Sequence, residues 1–510
     1  MIAAAQAPPV RMRPDAEFRA LRELLDRRAF VEEAICERHS LEVINDFRTL
    51  FEGRQPNEIR DALDVLVRLF MDNVPLNASV VRAHLDDREL DLLTSFGLLA
   101  ADPSVPDAVR GTVLLYPVRS LFVISDSFHN AEIKNLPEIV YPAITSNTYR
   151  FLATIPDTPC RSFLELCGGT GIAALAAARN GAGRAVSTDI TPRSTYFSQF
   201  NGRLNDLSSF SALQGDLYAP VTGQTFQRIA CHPPYVPALE QEFIYRDGGH
   251  DGEQITRRIF EDLGEFLDTG GRLYCTAVIN ELAGQPAEAR VRRMLGERES
   301  EFDILMVTIL AKDPLEYFFK EARAGKEKYE NLRRREQIIS ECGIERMMYS
   351  SILVRRHTEC RPALTLRRQL SPRTRWQDFE WALDVETALQ DDNAIPAVLY
   401  SKPRAIGGVR ARLDHVIEDS HWKCADCEFR TTLPFTAEFK APPWTITLLE
   451  RMTGERNVDE LFGEMQKAGV APQGAAPDDF VRFVLFLARN GFVELPDFQI
   501  AARDPRHDIK

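Results

Sequence analysis

The sequence has no long apolar run. Its apolar runs, such as "FVLFLA" at 483–488, are far short of the roughly 20 residues that a membrane-spanning helix needs. A membrane is therefore not expected as a partner. It also lacks surplus positive charge: 62 Lys and Arg face 75 Asp and Glu, a net charge of −13. Such a chain gets no general attraction from nucleic acid or an anionic membrane, so nucleic acid ranks below other partners. There is no cysteine framework either. Nine cysteines are scattered along the chain in odd number, which fits a reducing compartment and a cytoplasmic protein. The opening "MIAAAQAPPVRMRPDAEF" has no continuous apolar stretch, and residues 1–14 are expected to be a disordered tail rather than a signal peptide. No short tandem repeat is present.

What remains is ordinary globular material. Hydrophobic residues make up 44% and charged residues 27% of 510, enough for a sizeable core and about three domains. Residues 15–128 read as an α-rich, winged-helix-like domain. In "DALDVLVRLF" the apolar residues Ala62, Leu63, Leu66, Leu69 and Phe70 form a helical stripe. Asn77 is placed to cap the next helix, and Gly97 to end the one after it. The strand-like "GTVLLYP" and "SLFVIS" then complete the outline of three helices and a hairpin. Such a module can grip nucleic acid, but in a multidomain enzyme it more often dimerises or covers a substrate site, and a homodimer through it is expected here.

Residues 129–373 alternate strand and helix, which argues for an α/β domain with a mostly parallel sheet. A helical insertion spans about 315–343, and its Arg333–Arg335 run reads as a solvated helix face. Residues 374–510 read as a smaller α+β accessory domain, itself winged-helix-like in outline.

The stretch "FLELCGGTGIAALA" (163–176) runs strand, glycine loop, helix. Gly169, Gly171 and Ala174 also satisfy a dinucleotide fingerprint, a weak signal alone. Glu165, just before the loop, is ill suited to a pyrophosphate and suits a cationic ammonium group. Asp189 ends the next strand and can take ribose hydroxyls. Asp216 and Leu217 can bracket an adenine. Ammonium, ribose and adenine together describe S-adenosylmethionine (SAM).

These residues, with "ACHPPYV" (230–236) and "IYRDGGHDGEQITRRI" (244–259), resemble the motifs of class I SAM-dependent methyltransferases. The resemblance is to the "small" group around the release-factor glutamine methyltransferase HemK. It implies a Rossmann-like domain with a seven-stranded sheet. It also implies that Glu165, Cys167, Gly169, Gly171, Asp189, Asp216 and Leu217 line the cofactor. His232, Pro233 and Tyr235 then hold the methyl acceptor. In that group the acceptor loop is Asn-Pro-Pro-Tyr: the Asn oxygen and the following carbonyl take the N–H groups of a planar acceptor, and the Tyr ring stacks on it. Two departures stand out. Cys167 replaces a usual Gly, and His232 replaces Asn.

Neutral imidazole keeps one hydrogen-bond acceptor; imidazolium keeps none. His232 therefore suits either a nitrogen acceptor or, as general base, a hydroxyl. The expected reaction is methyl transfer to nitrogen on a protein, peptide or small molecule. The alternatives are O-methylation and a non-enzymatic SAM-sensing regulator. An oxidoreductase resting on the weak fingerprint would leave His-Pro-Pro-Tyr unexplained. Cys424-Ala-Asp-Cys427, with His421 nearby, is half a zinc site without its other half, so these read as structural thiols and no metal is expected. His250 reads as a loop residue.

Overall fold

The structure is a computed structural model. It describes residues 7–47, 58–127, 136–238, 243–323, 329–357, 361–390, 394–470 and 476–496, together with 359 and 474. The chain divides into two compact units. One holds the chain up to Glu299 and Lys312–Tyr349; the other holds Ser300–Ala311, Ser350–Val354 and the chain from Glu359.

The first unit opens with helices Asp15–Arg27, Glu32–His39, Ala62–Phe70, Ala78–His84 and Asp87–Ser95. Short polar caps set their starts. Asp61 accepts from the Asp64 amide, Asn77 from Ser79, and Asp86 and Glu89 form a reciprocal capping box. Gly97 follows the last of them with φ +71°, and a Cβ there would lie 2.4 Å from the Pro9 carbonyl oxygen.

The expected hairpin is placed differently. The strand Ala108–Gly111 lies between Leu76–Asn77 and Leu99–Ala101 in a three-stranded antiparallel sheet, and this is the hairpin that follows the helices. "GTVLLYP" and "SLFVIS" instead form a separate pair, Leu114–Val118 with Leu121–Ser125. All ten of its residues are buried. A strand buried on both faces cannot be a solvated wing.

The expected tail is also shorter than 14 residues. Val10 is buried, the Arg11 amide donates to the Phe96 carbonyl at 2.8 Å, and the Met12 amide to the Tyr196 hydroxyl at 3.0 Å. The rest of that expectation, over 1–6, lies outside the described residues, as does the domain boundary at 128/129.

The Rossmann-like core of this unit runs β1 (Ser162–Leu166), α1 (Ile172–Arg179), β2 (Arg184–Asp189), α2 (Pro192–Leu204), β3 (Phe210–Gln214), β4 (Phe226–Cys231), α3 (Gln254–Glu261) and β5 (Leu267–Leu282). These five strands are parallel, in the order β5-β4-β1-β2-β3. The chain leaves β1 in one direction, to β2 and β3, then returns to β4 on the other side. That reversal opens a crevice beyond the carboxyl ends of β1 and β4. The buried hairpin is tied to α2: Asn201 and Asn205 accept the Ile124 and Phe122 amides at 2.8 and 2.9 Å.

Further on lie β6 (Phe302–Lys312), α4 (Pro314–Arg323), α5 (Leu332–Cys342), β7 (Ile344–Arg356) and β8 (Thr365–Gln369). Among the described residues the largest sheet has eight strands, one more than the seven expected; within the second unit β8 pairs in parallel with β6. Among its described residues that unit also contains five helices between Trp376 and Arg489, a three-stranded antiparallel sheet (Arg410–Glu418, His421–Thr431, Ala437–Lys440) and its own core around Phe429, Leu461 and Val484. Among the described residues no helix is long and apolar enough to cross a membrane.

Candidate active site

The glycine loop leaves β1 at Leu166 and enters α1 at Ile172. Glu165 is buried, and its two carboxylate oxygens accept the Ala173 and Ala174 amides at 3.1 and 2.9 Å. Its carboxylate is thus spent on the first turn of α1, where free N–H groups need acceptors. Burial pushes its pKa up to about 7. Asp189 crosses from β2: one oxygen accepts the Gly169 amide at 2.9 Å and the other the Thr191 amide at 2.9 Å. The two carboxylates therefore hold the loop from both sides. A Cβ on Gly169 would meet nothing within 4 Å, so the loop faces open space there. A Cβ on Gly171, at φ +79°, would lie 2.2 Å from the Ser198 hydroxyl. Asp216 pairs with Arg258 of α3 at 2.7 Å. Leu217 is buried at φ +48°, and its carbonyl accepts the Thr188 hydroxyl at 3.0 Å.

On the other side of the crevice, β4 ends at Cys231 and His232 follows. The His232 and Tyr235 rings stack, with centroids 5.7 Å apart and planes 18° apart. Phe151 approaches His232 at 5.5 Å and Tyr349 of β7 approaches Tyr235 at 5.6 Å. Four rings thus gather where the His-Pro-Pro-Tyr loop turns.

A second loop clamps this one. The Val236 amide donates to the Arg246 carbonyl at 2.9 Å, the Gly248 amide to Val236 at 2.9 Å, and the Ala238 amide to Gly249 at 2.8 Å. Cβ atoms on Gly248 and Gly252 would lie 2.6 Å from the carbonyl oxygens of Pro234 and Tyr235. That close approach is why the stretch is glycine-rich. Its far end is pinned by Glu253, which is buried and accepts the Asn280 amide of β5 and the Arg290 guanidinium.

The methyltransferase small domain family matches residues 143–301. A protein of Methanocaldococcus jannaschii, provisionally named a protein N5-glutamine methyltransferase, is 34% identical over 146 residues, covering 28% of this chain and 72% of its own. The chain belongs to this family of SAM-dependent methyltransferases. The release factor glutamine methyltransferase of Escherichia coli is 32% identical over 114 residues, 22% of this chain and 40% of its own. The ribosomal protein uL3 glutamine methyltransferase of Bradyrhizobium diazoefficiens is 31% identical over 131 residues, 23% and 41% respectively. The chain thus spans less than half the length of these last two.

In this methyltransferase the two departures can now be placed. Cys167 stands at φ +55°, a left-handed conformation natural to the glycine it replaces. Burial pushes its thiol far above the ordinary range, which removes the thiolate a nucleophile would need. Cys167→Gly is expected to raise unfolding stability by about 1 kcal/mol by relieving that strain, read as a higher urea midpoint with SAM affinity unchanged. His232 is half-buried, and burial pushes its pKa down to about 4. The imidazole is therefore neutral at physiological pH. Its folded pKa lies below its unfolded value of about 6.5. The stability tied to the neutral ring is thus present above about pH 6.5 and lost as pH falls toward 4. NMR titration should place the His232 midpoint near 4; a midpoint near 6.5 would contradict the buried environment.

Several residues at this site were not picked out by sequence reading: Phe151, Glu253, Asn280, Tyr349 and Arg335. The Arg333–Arg335 run needs correction. Arg333 and Arg334 are exposed, but Arg335 of α5 is buried and donates to the Pro237 carbonyl just after the His-Pro-Pro-Tyr loop. Its guanidinium also lies 4.7 Å from the Phe318 ring. It holds the protein's own backbone. Glu253 had a usable signal, an acid immediately ahead of a helix. Arg335 had none, because its partner lies 98 positions away. His250 is exposed, 4.0 Å from Glu341. Among the described residues no group of three or more His, Cys, Asp or Glu is placed to hold a metal ion.

Proposed function

We propose that this protein transfers the methyl group of SAM to a side-chain amide nitrogen of a protein, with glutamine as the acceptor residue. The observation that carries this reading is His232: a neutral imidazole, stacked on Tyr235 at the mouth of the crevice. Bound SAM would supply an electrophilic methyl on a sulfonium. The open space over Gly169 fits its passage along the loop. Asp189 and Asp216 serve its ribose and adenine, Leu217 its base, and Glu165 and Cys167 the shape of the loop on which its methionine end rests.

An amide nitrogen is a poor nucleophile because its lone pair is delocalised. The imidazole of His232 accepts one of its N–H groups, and the Pro233 carbonyl accepts the other. Tyr235 holds the amide plane so that the lone pair points at the methyl. As the N–C bond forms the sulfonium C–S bond breaks, S-adenosylhomocysteine leaves, and the strongly acidic N-protonated amide gives its proton to solvent. Names of the relatives support the same acceptor: a release factor and a ribosomal protein are methylated on glutamine by the proteins named for it. The flanking modules would choose the protein substrate. The N-terminal one is read as winged-helix-like on its helices Ala62–Ser95 and three-stranded sheet.

The O-methylation reading loses ground. A base with pKa about 4 is weak at neutral pH, and a sulfonium nearby would oppose its protonation further. Calorimetry tests the cofactor half of the proposal. SAM and S-adenosylhomocysteine should bind while NAD does not, and Asp189→Ala should weaken SAM about tenfold or more. Binding of NAD without SAM would overturn it.

A further inference from the structure

The strand Arg410–Glu418 is a nine-residue sheet edge, and all nine residues are exposed. It pairs on one side with His421–Thr431; among the described residues nothing pairs with its other side. The two strands meet at a tight turn, Asp419–Ser420, both at positive φ, so the ribbon projects as an arm. Opposed residues share a face. One face therefore carries Ala411 with Phe429, Leu413 with Cys427, His415 with Cys424, and Ile417 with Trp422. An irregularity at Ala425 keeps Cys424 and Cys427 on that same face, because the register skips one residue there. The face starts in the domain core, where Phe429 and Cys427 are buried, and runs out to Ile417 at 62% and Trp422 at 69% exposure.

Long unpaired edges invite another strand, and proteins usually blunt them with charge or proline. This edge has no proline, and its charges are spaced so that they do not blunt it against itself. We infer that the edge Arg410–Glu418 pairs antiparallel with the same strand of a second copy of this chain, with His415 on the two-fold axis.

The choice of register follows from charge together with apolar pairing. Centred on His415, Arg412 stands opposite Glu418 of the second copy twice, Leu413 stands opposite Ile417 twice, and no acid faces an acid. Centring on Asp414 sets two aspartates against each other. Centring on Val416 sets Asp414 against Glu418 twice. Centring on Leu413 sets Arg412 against Asp414 but Ala411 against His415, and it loses both Leu413–Ile417 pairs. A shift by one residue would turn the apolar face over. A second copy is thus favoured through this arm, in place of the N-terminal module expected from the sequence.

Charge reversal in the full chain, read by sedimentation equilibrium, tests this. Wild type should be a dimer. Arg412→Glu and Glu418→Arg should each weaken it about tenfold. An equimolar mixture of the two single variants should recover near-wild-type affinity, because in the mixed dimer both pairs become opposite in charge. Arg410→Glu, which does not face Glu418 in this register, should leave affinity unchanged. Recovery in the mixture cannot come from refolding of either arm. A monomer at all concentrations, no effect of the single reversals, or no recovery on mixing would overturn the pairing.

Discussion

Replacing Tyr235 by alanine is expected to lower turnover by about 10²–10³-fold while leaving SAM affinity within a factor of about two. The ring is clamped in place. The backbone that follows it, at Val236 and Ala238, is hydrogen-bonded to the glycine-rich loop, the Tyr235 carbonyl abuts Gly252, and Tyr349 backs its ring at 5.6 Å. None of these contacts reaches the loop held by Glu165 and Asp189. Loss of the ring should therefore remove alignment of the acceptor without touching the cofactor side. Steady-state kinetics with calorimetry separates the two. An equal loss of turnover and SAM affinity would mean that the two loops are not the independent walls described here.

The second large effect is structural. Gly171→Ala should destabilise the protein by about 2–5 kcal/mol and abolish SAM binding. Two costs add. The backbone at φ +79° is left-handed, which costs an L-residue about 1–2 kcal/mol. The new methyl would also meet the Ser198 hydroxyl at 2.2 Å and Phe210 at 3.2 Å, an overpacking of the kind that costs about 1–3 kcal/mol. Chemical denaturation measures the first consequence and calorimetry the second. Gly169→Ala is the useful contrast. It shares the backbone cost but has no neighbour within 4 Å, so it should destabilise less while still obstructing SAM.

These effects show which parts of the molecule could be read in advance. The glycine loop was legible because its chemistry is local. A strand, a turn needing positive φ and a helix follow one another within about a dozen residues, and Asp189 reaches the loop from the adjacent strand end. His-Pro-Pro-Tyr was legible for the same reason. The clamp around it was only half legible. The glycines of "DGGHDG" are visible in the sequence, but what they touch, the carbonyls of Pro234 and Tyr235, is not. Arg335 was misread because three consecutive arginines look alike until a helix is docked and one of them turns inward. The hairpin 114–125 was placed wrongly because a continuously apolar strand says that it is buried without saying by what; here α2 supplies Asn201 and Asn205. The arm at 410–431 escapes a sequence reading although Ala411 and Leu413 alternate with Arg410, Arg412 and Asp414 and Asp419–Ser420 marks a turn. The nearby Cys424 and Cys427 read as structural thiols, which says nothing of the strand pairing around them.

The central claim is that a neutral imidazole does the work of the usual asparagine, aligning an amide nitrogen for methylation. Single-turnover transfer from isotopically labelled SAM to protein from the source cell, run with wild type and His232→Asn, tests it most directly. Both proteins should place label on glutamine nitrogen, stable to mild alkali, with rates within about tenfold of each other and little change between pH 6 and 8. Label in an alkali-labile ester, or activity that His232→Asn abolishes while SAM still binds, would show that His232 acts as a base and contradict the account.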